Sequence, residues 1–301
     1  MKANWHGQRE RGGILALRLI STVGLVLGRP ATVWLMWPIS LYFFLFASDA
    51  RHSSVDFLGR VWQRQPTRME VWRHFRTFAI CLLDRLYFSA GTTRSLRIEI
   101  EGADELQTII ASGQGCLLIG SHLGNSDAVR SCGLNLGTSL KILMQVEQSP
   151  AMMSVLYDRN PIWRDSLIPL GQPDTFLQVH KALEEGALVA MLGDRAYRQE
   201  KSIAMPFLGT PALFPTGPML LAAITGKPVV MFSGLYMGDG RYVVRFEALS
   251  NIHEFAGCTK DAIVKSLMSR YADRLETQCR RAPYNWYNFF DFWHDAAASR
   301  N

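Results

Sequence analysis

Apolar positions fall into three successive regimes along the chain. Two nearly uncharged runs come first, residues 14–27, broken by Arg18, and residues 31–47, with Gly28-Arg29-Pro30 between them. From 68 to 88, apolar Trp72, Phe75, Phe78, Ala79, Leu82, Leu83 and Leu86 recur at helical spacing. Arg73, Arg76, Asp84 and Arg85 lie largely on other faces, which predicts an amphipathic helix. Gly91-Thr92-Thr93 marks a boundary. Beyond it, short apolar runs at 96–100, 116–120, 140–145, 188–192, 228–236 and 242–249 read as strands. Stretches at 103–112, 125–136, 174–185, 216–225 and 259–281 read as helices. This alternation predicts an α/β fold, a largely parallel sheet flanked by helices, whose ligands gather where loops leave the strand ends. Residues 1–90 form a helical N-terminal segment in this reading, and residues 91–301 the α/β domain.

At about 1.5 Å per residue, neither N-terminal run comfortably spans a hydrocarbon layer of roughly 30 Å, and Pro38 interrupts the second. Trp34, Trp37, Tyr42, Phe43 and Phe44 are unlike a secretory leader. Arginines flank the runs on both sides, so a single crossing has no preferred direction. The segment is expected to be a shallow hairpin or interfacial anchor on the cytosolic leaflet. A single span and a buried helix pair in a soluble protein are the alternatives.

Composition narrows the partners. The chain has 301 residues, 48% of them hydrophobic, enough to bury a full core, and 32 Lys and Arg against 26 Asp and Glu. That excess favours an anionic surface. Zinc spacings, metal-ligand clusters, nucleic-acid motifs and Lys/Arg-rich blocks are not visible, and the arginines are interleaved with Trp, Phe and Leu, which suits a lipid interface better than nucleic acid. Cys81, Cys116, Cys132, Cys258 and Cys279 are odd in number and widely spaced, as expected of reduced thiols in the cytosol.

The candidate chemistry sits behind the apolar run Cys116-Leu117-Leu118-Ile119-Gly120, where His122 is followed five positions on by Asp127. Seven His and 26 acidic residues in 301 predict roughly 0.6 such pairs by chance, so spacing alone decides nothing. His180 and Glu185 share it, but along a predicted helix five residues rotate about 140° and the two point apart. His122 differs in lying between Gly120 and Gly124, with Asn125-Ser126 able to cap a following helix. That loop would let Asp127 fold back on the imidazole as the orienting group of a general base. Ser121 lacks the flanking glycines of a nucleophile elbow, since Ile119 and Leu123 stand there.

His122 to Asp127, Leu192-Gly193-Asp194-Arg195, Phe214-Pro215-Thr216-Gly217-Pro218-Met219 and Gly226-Lys227-Pro228-Val229-Val230 together resemble the blocks of the lysophospholipid acyltransferase superfamily. Pro206-Phe207-Leu208-Gly209 and the tryptophan-rich tail are similar to the bacterial lipid A late acyltransferase branch. The resemblance covers roughly residues 101–249. It implies transfer of a fatty acyl group from an acyl carrier protein or coenzyme A thioester to a hydroxyl of a lipid or glycolipid at the cytoplasmic face of the inner membrane, with no cofactor. His122 would be the base, Asp127 its partner, and Gly124, Asn125, Asp194, Arg195 and Gly217 substrate-binding residues, the loop amides serving the oxyanion. Glycerolipid enzymes carry Glu and Arg in the third block where Thr216 and Met219 stand here, which disfavours a glycerol-phosphate acceptor. A non-catalytic lipid-binding scaffold and a thioester or lipid hydrolase are the rival readings.

Overall fold

A computed structural model describes residues 14–131, 137–145, 166–196, 200–251 and 254–293. Three helices lead: α1 (Ile14–Phe46), α2 (Ser48–Trp62) and α3 (Arg68–Ser89). Then come β1 (Arg97–Glu101), α4 (Ala103–Ala111), β2 (Cys116–Gly120), α5 (Ser126–Ser131), β3 (Leu140–Met144) and β4 (Leu167–Pro169). α6 (Thr175–Glu184), β5 (Leu188–Leu192), β6 (Ser202–Phe207), β7 (Thr210–Pro215), α7 (Gly217–Thr225), β8 (Val229–Gly238), β9 (Arg241–Ser250) and α8 (Lys260–Arg281) complete the order, followed by a 3₁₀ turn at Pro283–Asn285.

Among the described residues seven strands form one sheet in the order β1-β9-β8-β2-β5-β3-β4, and every neighbouring pair is parallel except β8 with β9. The largely parallel sheet of the sequence reading is thus present. β2 shows why its strands read as unbroken apolar runs: Leu117 and Ile119 enter the core on one face, Cys116 and Leu118 the core on the other. α6, α7 and α8 cover the first face and α4 the second, while α3 contributes Val71 and Phe75 to one and Ile80, Leu83 and Phe88 to the other. β4, the β6–β7 hairpin and α2 lie outside the strands and helices expected from periodicity. β6 and β7 carry Pro206 and Pro211 and pair with each other rather than with the main sheet, so their pattern is not that of a buried strand. The second half of the helix expected at 125–136, and Cys132, lie outside the described residues.

α1 is broken at Gly28, whose φ of 78° is left-handed, and Pro30 follows at the start of the second half. That half buries Arg29, Thr32, Met36 and Ser40, a 3.6-residue stripe laid against α3. The contact is ionic at its centre. Arg29 Nε and Nη2 donate to the two oxygens of Asp84 at 2.7 and 2.9 Å, and Tyr242 Oη donates to Asp84 at 2.7 Å. Asp84 is fully buried and Arg29 nearly so, and a guanidinium left there without its partner is costly. Asp84→Ala is therefore expected to lower stability by about 3–5 kcal/mol in denaturant titration, with cleavage near Gly28 appearing first in limited proteolysis.

Candidate active site

β2 and β5 are parallel neighbours in a register that sets Gly120 opposite Leu192. Each strand then runs two residues further, to His122 on one side and Asp194 on the other, so the pairing alone delivers the two side chains to the same place. Small residues make the turn possible. A Cβ on Gly120 would stand 2.4 Å from the Phe232 ring, and one on Gly193 2.9 Å from Ile119. Gly124, with φ of 70°, passes so close to β8 that a Cβ would lie 2.0 Å from the carbonyl oxygen of Gly234.

Asp194 holds His122 twice. The backbone N–H of His122 donates to Oδ2 at 3.0 Å and the ring Nδ1 donates to Oδ1 at 2.8 Å. Trp286 Nε1 and Asn288 Nδ2 add donors to Oδ2 at 3.1 and 2.9 Å. Burial on its own would raise this carboxyl. The imidazole and the Arg195 charge outweigh burial and hold it at about 2, so Asp194 is ionised and only accepts. An acceptor on Nδ1 places the ring proton there and leaves Nε2 with its lone pair, the tautomer a general base needs. Burial, and then the charges of Arg195 and Arg85, push the His122 pKa below its ordinary value against the pull of Asp194. The ring is therefore neutral at neutral pH, and its side chain keeps 30% exposure.

The expected partner of His122 is corrected by this geometry. Asp127 sits on the first turn of α5, 3% exposed, and its Oδ2 accepts from Arg85 Nε at 2.6 Å. Asn125 fixes that turn: its Oδ1 accepts from the Asp127 N–H at 3.0 Å and its Nδ2 donates to the carbonyl of Cys81 on α3 at 3.0 Å. The helix start turns Asp127 toward α3 while the sheet brings Asp194 to the imidazole. Asp127 thus bears on the site through Arg85, whose side chain is one-third exposed.

The loop amides expected to bind an oxyanion are engaged elsewhere. Gly124 N donates to Asn285 O at 2.8 Å, Asn125 N to Gly234 O at 2.8 Å, and Gly217 N to Glu200 Oε1 at 2.7 Å. Arg195 Nε donates to Asn288 Oδ1 at 2.6 Å and its Nη2 to Tyr287 O at 2.8 Å, and its guanidinium lies 5.6 Å from the Phe290 ring centre. Burial lowers its pKa to about 10, so it stays charged. Met219 is 2% exposed and part of the core, and Thr216 Oγ1 donates to the Lys201 carbonyl at 2.9 Å. The third block therefore shapes backbone here and presents no cation.

Sequence reasoning missed Trp286 and Asn288 as partners of Asp194. The tail that carries them is anchored by Asn285, which exchanges two bonds with the backbone of Tyr236, and by His74. The Nε2–H of His74 donates to the Trp286 carbonyl at 2.8 Å and its Nδ1 accepts from Ser54 at 2.8 Å. Burial pushes His74 down to about 4, keeping it neutral in this role. The one signal available was the second block itself, Leu192-Gly193-Asp194, ending a strand as Gly120-Ser121-His122 does.

A family model described as bacterial lipid A biosynthesis acyltransferase matches residues 58–294. Two phosphatidylinositol mannoside acyltransferases of Mycobacterium tuberculosis are similar to the chain. That of strain CDC 1551 / Oshkosh is 24% identical over 254 residues, 80% of this chain and 69% of the relative. That of strain ATCC 25618 / H37Rv is 26% identical over 213 residues, 66% of this chain and 61% of the relative.

The two carboxylates should separate in a pH–rate profile. With neutral His122 as the active form, the rate rises with pH through a pKa below the ordinary imidazole value and is level at neutrality. Asp194→Asn removes the charge that favours the imidazolium, so its acid limb moves to lower pH while the plateau falls by roughly a hundredfold or more. Asp127→Asn should leave the acid limb near its wild-type position. Steady-state rates across the acid range check both, and an acid limb displaced by Asp127→Asn but not by Asp194→Asn would reverse the assignment.

Proposed function

The chain belongs to the bacterial lipid A biosynthesis acyltransferase family, and from that premise we propose that it moves a fatty acyl group from an acyl carrier protein or coenzyme A thioester to a hydroxyl of a glycolipid. The carrying observation is the His122–Asp194 pair at the ends of two adjacent parallel strands. His122 Nε2 takes the hydroxyl proton as the oxygen attacks the thioester carbonyl. The tetrahedral intermediate collapses with expulsion of the thiolate, which regains the proton from the imidazolium, and Asp194 stabilises that cation between the two steps. Arg85 and Arg195, whose charges both reach His122, supply the positive field for the oxyanion in place of the occupied amides. Direct transfer fits the thiols. Cys81 and Cys116 are pushed up to about 12 by burial and are poor nucleophiles.

Two features support a glycolipid hydroxyl over a phosphate monoester as acceptor. The third block offers no fork-shaped cation, and the similar mycobacterial proteins are named for a mannoside acceptor. The protein acts in this reading at the inner membrane with its catalytic domain on the cytoplasmic side, where the thioester carriers are. Among the described residues no single helix is long and apolar enough to cross a membrane, and Val26–Phe46 meets Ser48–Trp62 at 95°. The outer face of α1 nevertheless exposes Val26, Leu27, Trp34, Trp37, Leu41, Tyr42, Leu45 and Phe46, an apolar stripe suited to lie in a lipid interface.

His122→Ala is expected to lower acyl transfer by about 100-fold to 10,000-fold with an unchanged circular dichroism spectrum that shows the variant is folded. Undiminished product formation would remove the proposed base. In an acceptor competition read by lipid mass spectrometry, a mannosylated or glucosamine-based lipid is expected to be acylated well ahead of glycerol 3-phosphate, and the opposite order would overturn the acceptor assignment.

A further inference from the structure

Where α1 ends against α2 and α3, Phe44, Ser48, Arg51, His52, Val55, Pro66, Arg68 and Val71 enclose a hollow of about 360 Å³. Its two halves differ. Phe44, Val55, Pro66 and Val71 give it apolar walls, and Arg51, His52 and Arg68 give it a basic rim. Among the described residues no carboxylate lines it. The acids adjacent in sequence are Asp49, which accepts from Ser48 Oγ at 3.2 Å, Asp56, which accepts from Arg60 Nε at 2.9 and 3.0 Å, and Glu70. Glu70 is committed to Arg64, which it meets at 2.6 and 3.0 Å, and to the Thr67 cap of α3.

Arg51 is held in place. Its Nη1 donates to the carbonyls of Phe44 and Leu45 at 2.6 and 3.0 Å, capping the end of α1 and bringing the guanidinium to the hollow. The hollow also adjoins the exposed stripe. Phe44 lines it while Leu45 and Phe46, the next residues, are 55% and 65% exposed, and Arg68 lines it while its neighbour Met69 is 62% exposed. A cationic pocket opening beside a band of exposed apolar side chains complements an amphiphile whose anionic head and hydrocarbon tails are likewise adjacent.

Resting on the membrane attachment proposed above, we propose that this hollow is a binding site for the phosphate headgroup of an anionic glycerophospholipid, whose acyl chains lie along the exposed face of α1. A guanidinium is the side chain best matched to a phosphate, and two of them supply charge-assisted donors to an anionic headgroup, whereas a zwitterionic headgroup already balances its phosphate with its own cation. The occupant fixes the depth and tilt of α1 in the interface. It thereby holds the α/β domain in one orientation on the lipid surface.

Full-length protein sedimented with vesicles of phosphatidylcholine alone and of equal parts phosphatidylcholine and phosphatidylglycerol tests this. The wild type is expected to prefer the anionic vesicles. Arg68→Gln should reduce that preference by about fivefold, the worth of one cationic side chain at such a surface. Val55→Trp, which fills the hollow without changing any charge, should reduce it at least as much, and the unfolding midpoint of each variant verifies that it is folded. Arg51 is left intact because it also caps α1. If Val55→Trp and Arg68→Gln keep the wild-type preference, or the wild type binds both vesicles equally, the headgroup site is overturned while membrane attachment stands. If the wild type sediments with neither vesicle, the attachment itself falls and the site with it.

Discussion

The parallel register of β2 and β5 is the constraint from which the His122–Asp194 pair follows. With Gly120 opposite Leu192, the residues two steps beyond each strand end are neighbours whatever the loops do next, and those residues are a histidine and an aspartate. A carboxylate brought there is buried, and on its own it would be protonated or displaced. Four N–H donors converge on it instead, two from His122 and one each from Trp286 and Asn288. The aromatic tail thus completes the surroundings of the carboxylate: Trp286 packs among Phe57, Phe207 and Phe292 while its indole N–H reaches Asp194. Buried polar networks of this kind specify one arrangement when every member is satisfied.

Around that pair the structure divides labour between two acidic residues that one motif would assign to one task. Asp127 secures Arg85 and, through Asn125, ties α5 to α3. Asp194 fixes the ring tautomer. Burial first, and then the charges of Arg195 and Arg85, lower the pKa of the imidazole and keep it neutral at neutral pH.

The N-terminal helices are fastened to this scaffold by a buried ion pair, Arg29 with Asp84, on the same α3 that carries Arg85. One helix therefore bears both the attachment of α1 and a cation of the site. The outer side of α1 stays apolar and uncovered.

Secondary structure was largely legible from the chain because the signals are local. β2 and β5 coincide with their apolar runs, α3 with its helical period, and α4, α6, α7 and α8 with their predicted spans to within a residue or two. His122 was legible for the same reason, a polar residue between glycines at the mouth of a buried strand. β4, the β6–β7 hairpin and α2 were not: β4 is three residues long, the hairpin carries prolines, and α2 gathers Val55, Phe57, Leu58, Val61 and Trp62 in its second half behind a polar start. Nor could the chain alone choose between Asp127 and Asp194. The choice depends on strand order and register, which bring together residues 72 positions apart, and on a tail 92 positions further along that supplies two of the four donors. Sequence by itself determined the α/β layering, the candidate histidine and the family; tertiary structure decided which carboxylate pairs with that histidine, because hydrogen-bond partners across a parallel sheet are set by pairing that no local pattern encodes.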